Sequence, residues 1–261
     1  MLDPSSNSPS VDLNADAGES FGSWRKGSDE ALIPHLSSIN VACGAHAGDP
    51  STMRTTVRHA LQHGVAIGAH PGYPDLEGFG RREMSMTSHE LADHVMTQLG
   101  ALDAIARSEG ATLRHVKPHG AMHHRMVHDD EAADAVAAAI AAFNPNLIFF
   151  GLAGPAGEVM CQAAERHGLR LVAEAFPDRG YLADGRLAPR SLSGAVIDDP
   201  NRIAERAVQV VTTGQLGTLD GGTLTLRPRT LCLHGDGHTV VEAAAALRAA
   251  LHREGVTVQA P

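Results

Sequence analysis

Seven short apolar runs recur along this chain, and a segment of helical periodicity follows nearly every one. The runs are VDLNA (11–15), INVAC (39–43), VAIGA (65–69), LRHV (113–116), LIFFG (147–151), LRLVAEA (169–175) and TLCLHG (230–235). The helical segments cover about 50–63, 87–108, 129–142, 154–167, 200–213 and 238–253. Helices between consecutive strands are the crossovers that parallel pairing requires, so the pattern predicts an α/β fold around a parallel sheet. Local signals mark the helix ends. Asp49 precedes Pro50, an N-cap before a proline at the first helical position. Thr87 to Glu90 spells a capping box, and Gly64, Gly110, Gly168 and Gly255 stand where helices stop.

Such a sheet either closes as a barrel or stays open and doubly wound. The polar residues favour closure. Asn14, Asp16 and Glu19 follow the first run; Cys43, His46 and Asp49 the second; His70 and Asp75 the third; Lys117 and His119 the fourth. Glu174, Asp178 and Arg179 belong to the sixth, and His234 and Asp236 to the last. In a closed barrel these strand ends converge on one mouth, whereas an open sheet spreads them along an edge. Two long inserts, 71–86 and 176–199, also follow strands and are expected to cover that mouth. GGTLTLRP (221–228) reads as a small hairpin. With 261 residues and no linker or repeat, residues 11–261 form one expected domain behind a mobile tail of residues 1–10.

Composition removes several function classes. Aromatics are 3% and the net charge is −9, so neither base stacking nor a basic footprint points to nucleic acid. Three distant cysteines suggest a reducing compartment. The start lacks a signal-peptide pattern and no apolar run is long enough for a bilayer, so no membrane role is expected and the default location is cytoplasmic. The anomaly is sixteen histidines. Oligomeric state, including a homo-oligomer, is left open.

The motifs carry the chemistry. In VDLNADAGE, Asp12, Asn14 and Asp16 share one strand face, the barrel interior. They form either a hydrogen-bond network under the mouth or, at Asp16, a general base or metal ligand. INVACGAHAGDP and IGAHPGYPDLEGFGRR each run from a strand through small residues to a histidine. His46 and His70 would face each other across the mouth, either as hydrogen-bonded rim residues or as ligands of a divalent metal. Arg81 and Arg82 offer a carboxylate clamp or a solvated loop. In HVKPHGAMHH (115–124), Pro118 fixes the exit from the strand. Lys117 can neutralise an oxyanion and His119 can move protons. His119 and His123 are four apart, which suits a metal only if a helix begins there; His123, His124 and His128 are expected on the solvated start of the next helix. EAFPDRGYLADGRLAPRS reads as an ordered lid with Arg179 and Arg190 as anion binders. His234 and Asp236 form a second acid–base pair. GLAGPAG (151–157) lacks the lysine and hydroxyl of a P-loop. Cys43 reads as a buried strand-end thiol.

Taken in order, DLNADAGESFG, INVACGAHAGDP, GAHPGYPDLEGFGRR, VKPHGA, EAFPDRGYLADGRLAPRS and LCLHGD closely resemble the LamB/YcsF family over about residues 11–254. The resemblance implies a distorted seven-stranded β/α (TIM-like) barrel of the glycoside hydrolase/deacetylase type. It implies opening of 5-oxo-L-proline to L-glutamate coupled to ATP hydrolysis, with partner 5-oxoprolinase subunits B and C. The catalytic residues would then be Asp16, Lys117 and His119. Asn14, Arg82 and Arg179 would bind substrate, and His46 and His70 would hold a divalent metal. Ala15 and Ala17 depart from the family's Cys and Leu, and His123 and His124 replace a Tyr and an Asn. No convincing ATP site is visible, so ATP is expected to bind with partner subunits. Two other readings use the same residues: a stand-alone metal-dependent amidohydrolase or deacetylase, and a non-catalytic barrel that binds a small acid and regulates a partner.

Overall fold

The chain, as a computed structural model, is described over residues 9–234 and 239–261. Seven parallel strands close a barrel in the order β1 (Ser10–Ala17), β2 (Ser38–Ala42), β3 (Ala66–His70), β4 (Leu113–Val116), β5 (Ile148–Leu152), β6 (Arg170–Ala175) and β9 (Thr230–Leu233). The seam is the parallel pairing of β9 with β1, where Asp12 stands beside Thr230 and Ala15 beside Leu233. The expected barrel is thus the one observed, and the open sheet is excluded. A short strand, β10 (Thr257–Val258), adds to the start of β1. Residues 1–8 of the expected tail lie outside the described residues, and Ser10 already belongs to β1.

The helices pack outside. α2 (Pro50–His63) begins where the Asp49 carboxylate accepts from the amides of Ser51 and Thr52, and it ends at left-handed Gly64. α3 (Ser88–Ser108) starts with the expected capping box of Thr87 and Glu90. α5 (Asp130–Phe143), α6 (Glu158–Arg166), α7 (Pro200–Thr213) and α8 (Val240–Arg253) complete the ring. Their buried faces are mostly alanine, valine and leucine, so helices approach the sheet closely. A hairpin is present as antiparallel β7 (Gln215–Gly217) and β8 (Thr223–Thr225), but only β8 lies in the segment 221–228 where it was expected; its partner strand precedes that segment. Two short helices were not expected: α1 (Asp29–Leu32) and α4 (Gly120–Met126). Among the described residues no helix is long and apolar enough to cross a membrane.

The barrel interior is divided. On the β5–β6 side it is apolar, with Ile148, Phe150 and Val172 in contact. On the β1–β2 side it is polar and buried: Asp12, Asn14, Asp16, Ser38 and Asn40. His115 joins the halves, its ring stacked on Phe150 at 4.1 Å while Nε2 bonds Asn40 Oδ1 at 2.8 Å.

Candidate active site

The polar half of the interior is one continuous hydrogen-bond chain. At the bottom Asp12 accepts from the hydroxyls of Ser37, Ser38 and Thr230. Above it, Asn14 Nδ2 donates to Thr230 Oγ1 at 2.7 Å and to Glu174 Oε1 at 2.9 Å. Asn40 Nδ2 donates to Asn14 Oδ1 and to Asp16 Oδ1. Alternation along β1 puts Asp12, Asn14 and Asp16 on this face, as expected. Asn14 is buried with both amide ends engaged by neighbours, so it supports the mouth from below.

Asp16 ends the chain at the mouth. Lys117 Nζ, leaving β4, lies 2.5 Å from Asp16 Oδ1 and 3.1 Å from Cys232 Sγ. Burial alone would raise the Asp16 carboxyl. His70 and Lys117 outweigh it and hold Asp16 well below the usual carboxylate range. Burial would likewise lower Lys117, but Asp16, Cys232 and Glu174 hold it well above its ordinary value. The pair is therefore ionised and buried, an arrangement that is costly to break. Glu174 is the third interior carboxyl near one lysine. Burial pushes it up to about 7, and its Oε2 has no hydrogen-bond partner.

Beside this pair stand three histidines from three strand ends. His70 Nδ1 lies 2.6 Å from the Lys117 carbonyl, and His119 Nε2 lies 2.8 Å from the Phe79 carbonyl. A carbonyl only accepts, so both of these nitrogens carry the proton. In the neutral rings the opposite nitrogens, His70 Nε2 and His119 Nδ1, are then both lone pairs, and they face each other at 2.9 Å. Two facing lone pairs need a proton or a cation between them. His46 stacks on His119 with ring centres 3.9 Å apart, and neither of its nitrogens has a partner although it is buried. Burial lowers both His46 and His119 well below the ordinary histidine range, so they are neutral, the form that binds metals. Glu19, His46, His70 and His119 each present one ligand atom within 4.8 Å of the others, a set that can hold a divalent metal. Glu19 joins the two histidines expected from sequence, and His119 belongs to the set as well.

The insert after β3 builds the wall behind these rings. A Cβ on Gly72 would sit 2.5 Å from His46 Nδ1, and one on Gly80 2.8 Å from His46 Cβ. Phe79 adopts φ 56°, a strained backbone for a non-glycine residue, and that conformation aims its carbonyl at His119. Lys26 Nζ lies 4.0 Å over the Phe79 ring.

A cavity of about 230 Å³ opens above the lysine. It is lined by Asp16, His70, Lys117, His119, His123, Phe176 and His234, with Arg81, Arg179 and Arg190 around them. The geometry differs from expectation at three points. Arg82 does not line this cavity; its guanidinium is largely exposed and bonds Asp75, while Arg81 lines the cavity in its place. Arg179 does line it, but Nε and an Nη are bound to the carbonyls of Ala195 and Ala188, so this arginine also pins the lid. α4 begins directly after His119, because the amides of His119 and Ala121 bond the carbonyls of Pro71 and Gly80. That turn buries His123 rather than leaving it on a solvated helix start. His124 is exposed, and it too lines the cavity. The expected partner Asp236 lies outside the described residues; His234 Nδ1 bonds Asp178 at 2.8 Å. Cys43 is buried, and burial pushes its thiol up to about 12, which makes it inert.

Residues 11–261 match the model of the LamB/YcsF family. The Bacillus mycoides (strain KBAB4) protein named as the A subunit of 5-oxoprolinase is 46% identical over 251 residues, covering 96% of this chain and 98% of that protein. The protein of the same name from Syntrophobacter fumaroxidans is 49% identical over 250 residues, with the same two coverages. Among solved structures, the lactam utilization protein of Thermus thermophilus superposes with a TM-score of 0.91 at 48% identity, over 97% of this chain and all of that one. A family 4 carbohydrate esterase from Streptomyces lividans, at 13% identity and a TM-score of 0.50 over 97% of this chain and 92% of that one, shares the fold alone.

Proposed function

The chain belongs to the LamB/YcsF family, and from that we propose that it is the A subunit of a 5-oxoprolinase, opening the lactam of 5-oxo-L-proline to L-glutamate. The observation that carries this reading is the buried Lys117–Asp16 pair on the floor of a small cavity ringed by arginines. A lactam carboxylate needs a cationic rim, and Arg81, Arg179 and Arg190 supply it. A lactam carbonyl needs charge stabilisation as it is attacked, and the Lys117 ammonium is fixed for that task. The attacking water must lose a proton, and Asp16 is the carboxylate at hand. The ring nitrogen must gain one, and without a metal between them His70 and His119, whose facing nitrogens lie 2.9 Å apart, are the groups to move it.

Simple hydrolysis of this ring is uphill, so coupling to ATP belongs to the reading. Phosphorylation of the lactam oxygen activates the ring carbon. Water adds there, the C–N bond breaks with protonation of nitrogen, and the resulting acyl phosphate hydrolyses to glutamate and phosphate. ATP binds with partner subunits B and C, consistent with relatives being named as one subunit of an enzyme.

The divalent metal fits the residues present. The orphaned His46 nitrogens and the facing His70 and His119 lone pairs are what a metal would satisfy, with Glu19 as the fourth ligand. When bound, such an ion supplies Lewis acidity and lowers the pKa of a bound water. That same cluster favours a second reading, a metal-dependent amidohydrolase acting alone. Glutamate release from 5-oxo-L-proline, measured for the chain with B and C and with or without ATP, separates the two. ATP-dependent release supports the first. Release by the isolated chain, ATP-independent and lost on chelation, supports the second. No release from a folded complete complex removes both.

A further inference from the structure

Cys232 is the interior group that the reaction above leaves unused. It stands beside Asn14 where β1 pairs with β9, and alternation puts Thr230 and Cys232 on one face of β9. Thr230 Oγ1 accepts from Asn14 and donates to Asp12, so that face is the polar barrel interior. Cys232 lies two residues nearer the mouth than Thr230, and its thiol is fully buried. A buried strand thiol is ordinarily packing. This one touches a charge. Its S–H points to the Leu233 carbonyl at 3.7 Å, and its sulfur accepts from Lys117 Nζ at 3.1 Å.

An ammonium has three N–H bonds. Asp16 Oδ1, at 2.5 Å, takes one of Lys117's, and Cys232 takes a second. Among the described residues the third has no acceptor. Lys117 lines the cavity, and the Phe176 ring, another part of the cavity wall, stands 5.6 Å from Nζ. With one anchor an ammonium still turns about its Cε–Nζ bond. With two, the direction of the third N–H is set. We propose that Cys232 is a positioning residue: its sulfur is the second anchor of the Lys117 ammonium and directs the remaining N–H at the carbonyl oxygen of the cyclic amide. This rests on the lactam reading of the site. Sulfur is a weak acceptor, so it orients the donor while competing little with a ligand oxygen.

The test compares Cys232→Ala with Cys232→Ser in the complete complex with B and C, reading kcat and KM for glutamate release from 5-oxo-L-proline with ATP. Alanine and serine have nearly the same volume, so both variants lose the packing of sulfur alike, and they differ in the acceptor alone. Cys232→Ala is expected to lose about tenfold to a hundredfold in kcat, the scale of a misdirected catalytic group, with KM within about twofold of wild type. Cys232→Ser is expected to recover most of that kcat. Wild-type kcat in a folded Cys232→Ala overturns the inference and leaves the lactam reading standing. So does an equal loss in both variants, which would make Cys232 a packing residue. A folded wild-type complex that releases no glutamate overturns both.

Discussion

Glu174 gives the sharpest test of how the barrel interior handles charge. Its carboxyl is fully buried, accepts one hydrogen bond from Asn14, and has no partner at Oε2. Its folded value of about 7 compares with 4.5 for the free group. At about 1.36 kcal/mol per unit this shift corresponds to about 3 kcal/mol between the two protonation states. The sign follows from proton uptake. Between pH 4.5 and about 7 the folded chain holds a proton that the unfolded chain has released. Stability from this group is therefore fully present below about 4.5 and lost as pH rises through about 7. Glu174→Gln removes the titration and keeps the neutral shape. It places an amide where Oε2 had no partner, which adds a pH-independent offset. The difference in unfolding free energy between variant and wild type should therefore change by about 3 kcal/mol from pH 4 to pH 8, in favour of the variant. Urea unfolding at half-unit pH steps on chelator-treated protein measures it. Parallel curves for the two proteins would refute the reasoning, because Glu174 would then titrate alike in both states.

Other expectations follow from the same geometry. Lys117→Met leaves Asp16 in the interior without its ammonium partner, with only Asn40 and His70 beside it, so it should cost about 3–5 kcal/mol at pH 7 and abolish turnover, whereas a surface pair costs at most about 1 kcal/mol; chemical denaturation decides between these. His46→Ala removes a side chain with no hydrogen bonds, so the fold should survive while metal content, measured by elemental analysis after dialysis against zinc, falls below that of wild type. Gly72→Ala should have the same effect on metal content by displacing His46, and retention of full metal in both variants would remove the ligand assignment. Arg81→Ala should raise KM for the acid substrate, while Arg82→Ala should leave it unchanged; the reverse order would restore Arg82 as the clamp.

The barrel was legible in the sequence because its signals are local. Alternation in VDLNADAGE, the Asp49-Pro50 cap and the Thr87 to Glu90 box each act within a few residues, and each appears where expected. What escaped depends on contacts between distant segments. Arg81 and Arg82 are neighbours of one chemistry. Only the turn that bonds Arg82 to Asp75 decides which of them faces the cavity. Likewise, KPHGAMHH alone does not fix a helix start at Gly120. The Gly80 carbonyl that receives the Ala121 amide comes from a different insert. Glu19 reached the histidines for the same reason. It lies just past the end of β1, beside a loop from β2, and sequence distance hides that closeness. The one available hint for His123 was its four-residue spacing from His119, which fits a helix starting at the strand end.

The hydrogen-bond chain inside the barrel has a further consequence, for how the strands find their order. A hydrophobic interior tolerates strands that slide by two residues, since one aliphatic side chain replaces another. Here Asn14 must meet Glu174 from β6, Thr230 from β9 and Asn40 from β2 at once. A slipped β1 would strand several of these groups without partners, at about 1–3 kcal/mol each, against a total stability of about 5–15 kcal/mol. Misassembled barrels are thereby excluded by the same residues that hold up the mouth. The interior works as an address, matching the first strand of the barrel to its seventh across more than two hundred intervening positions.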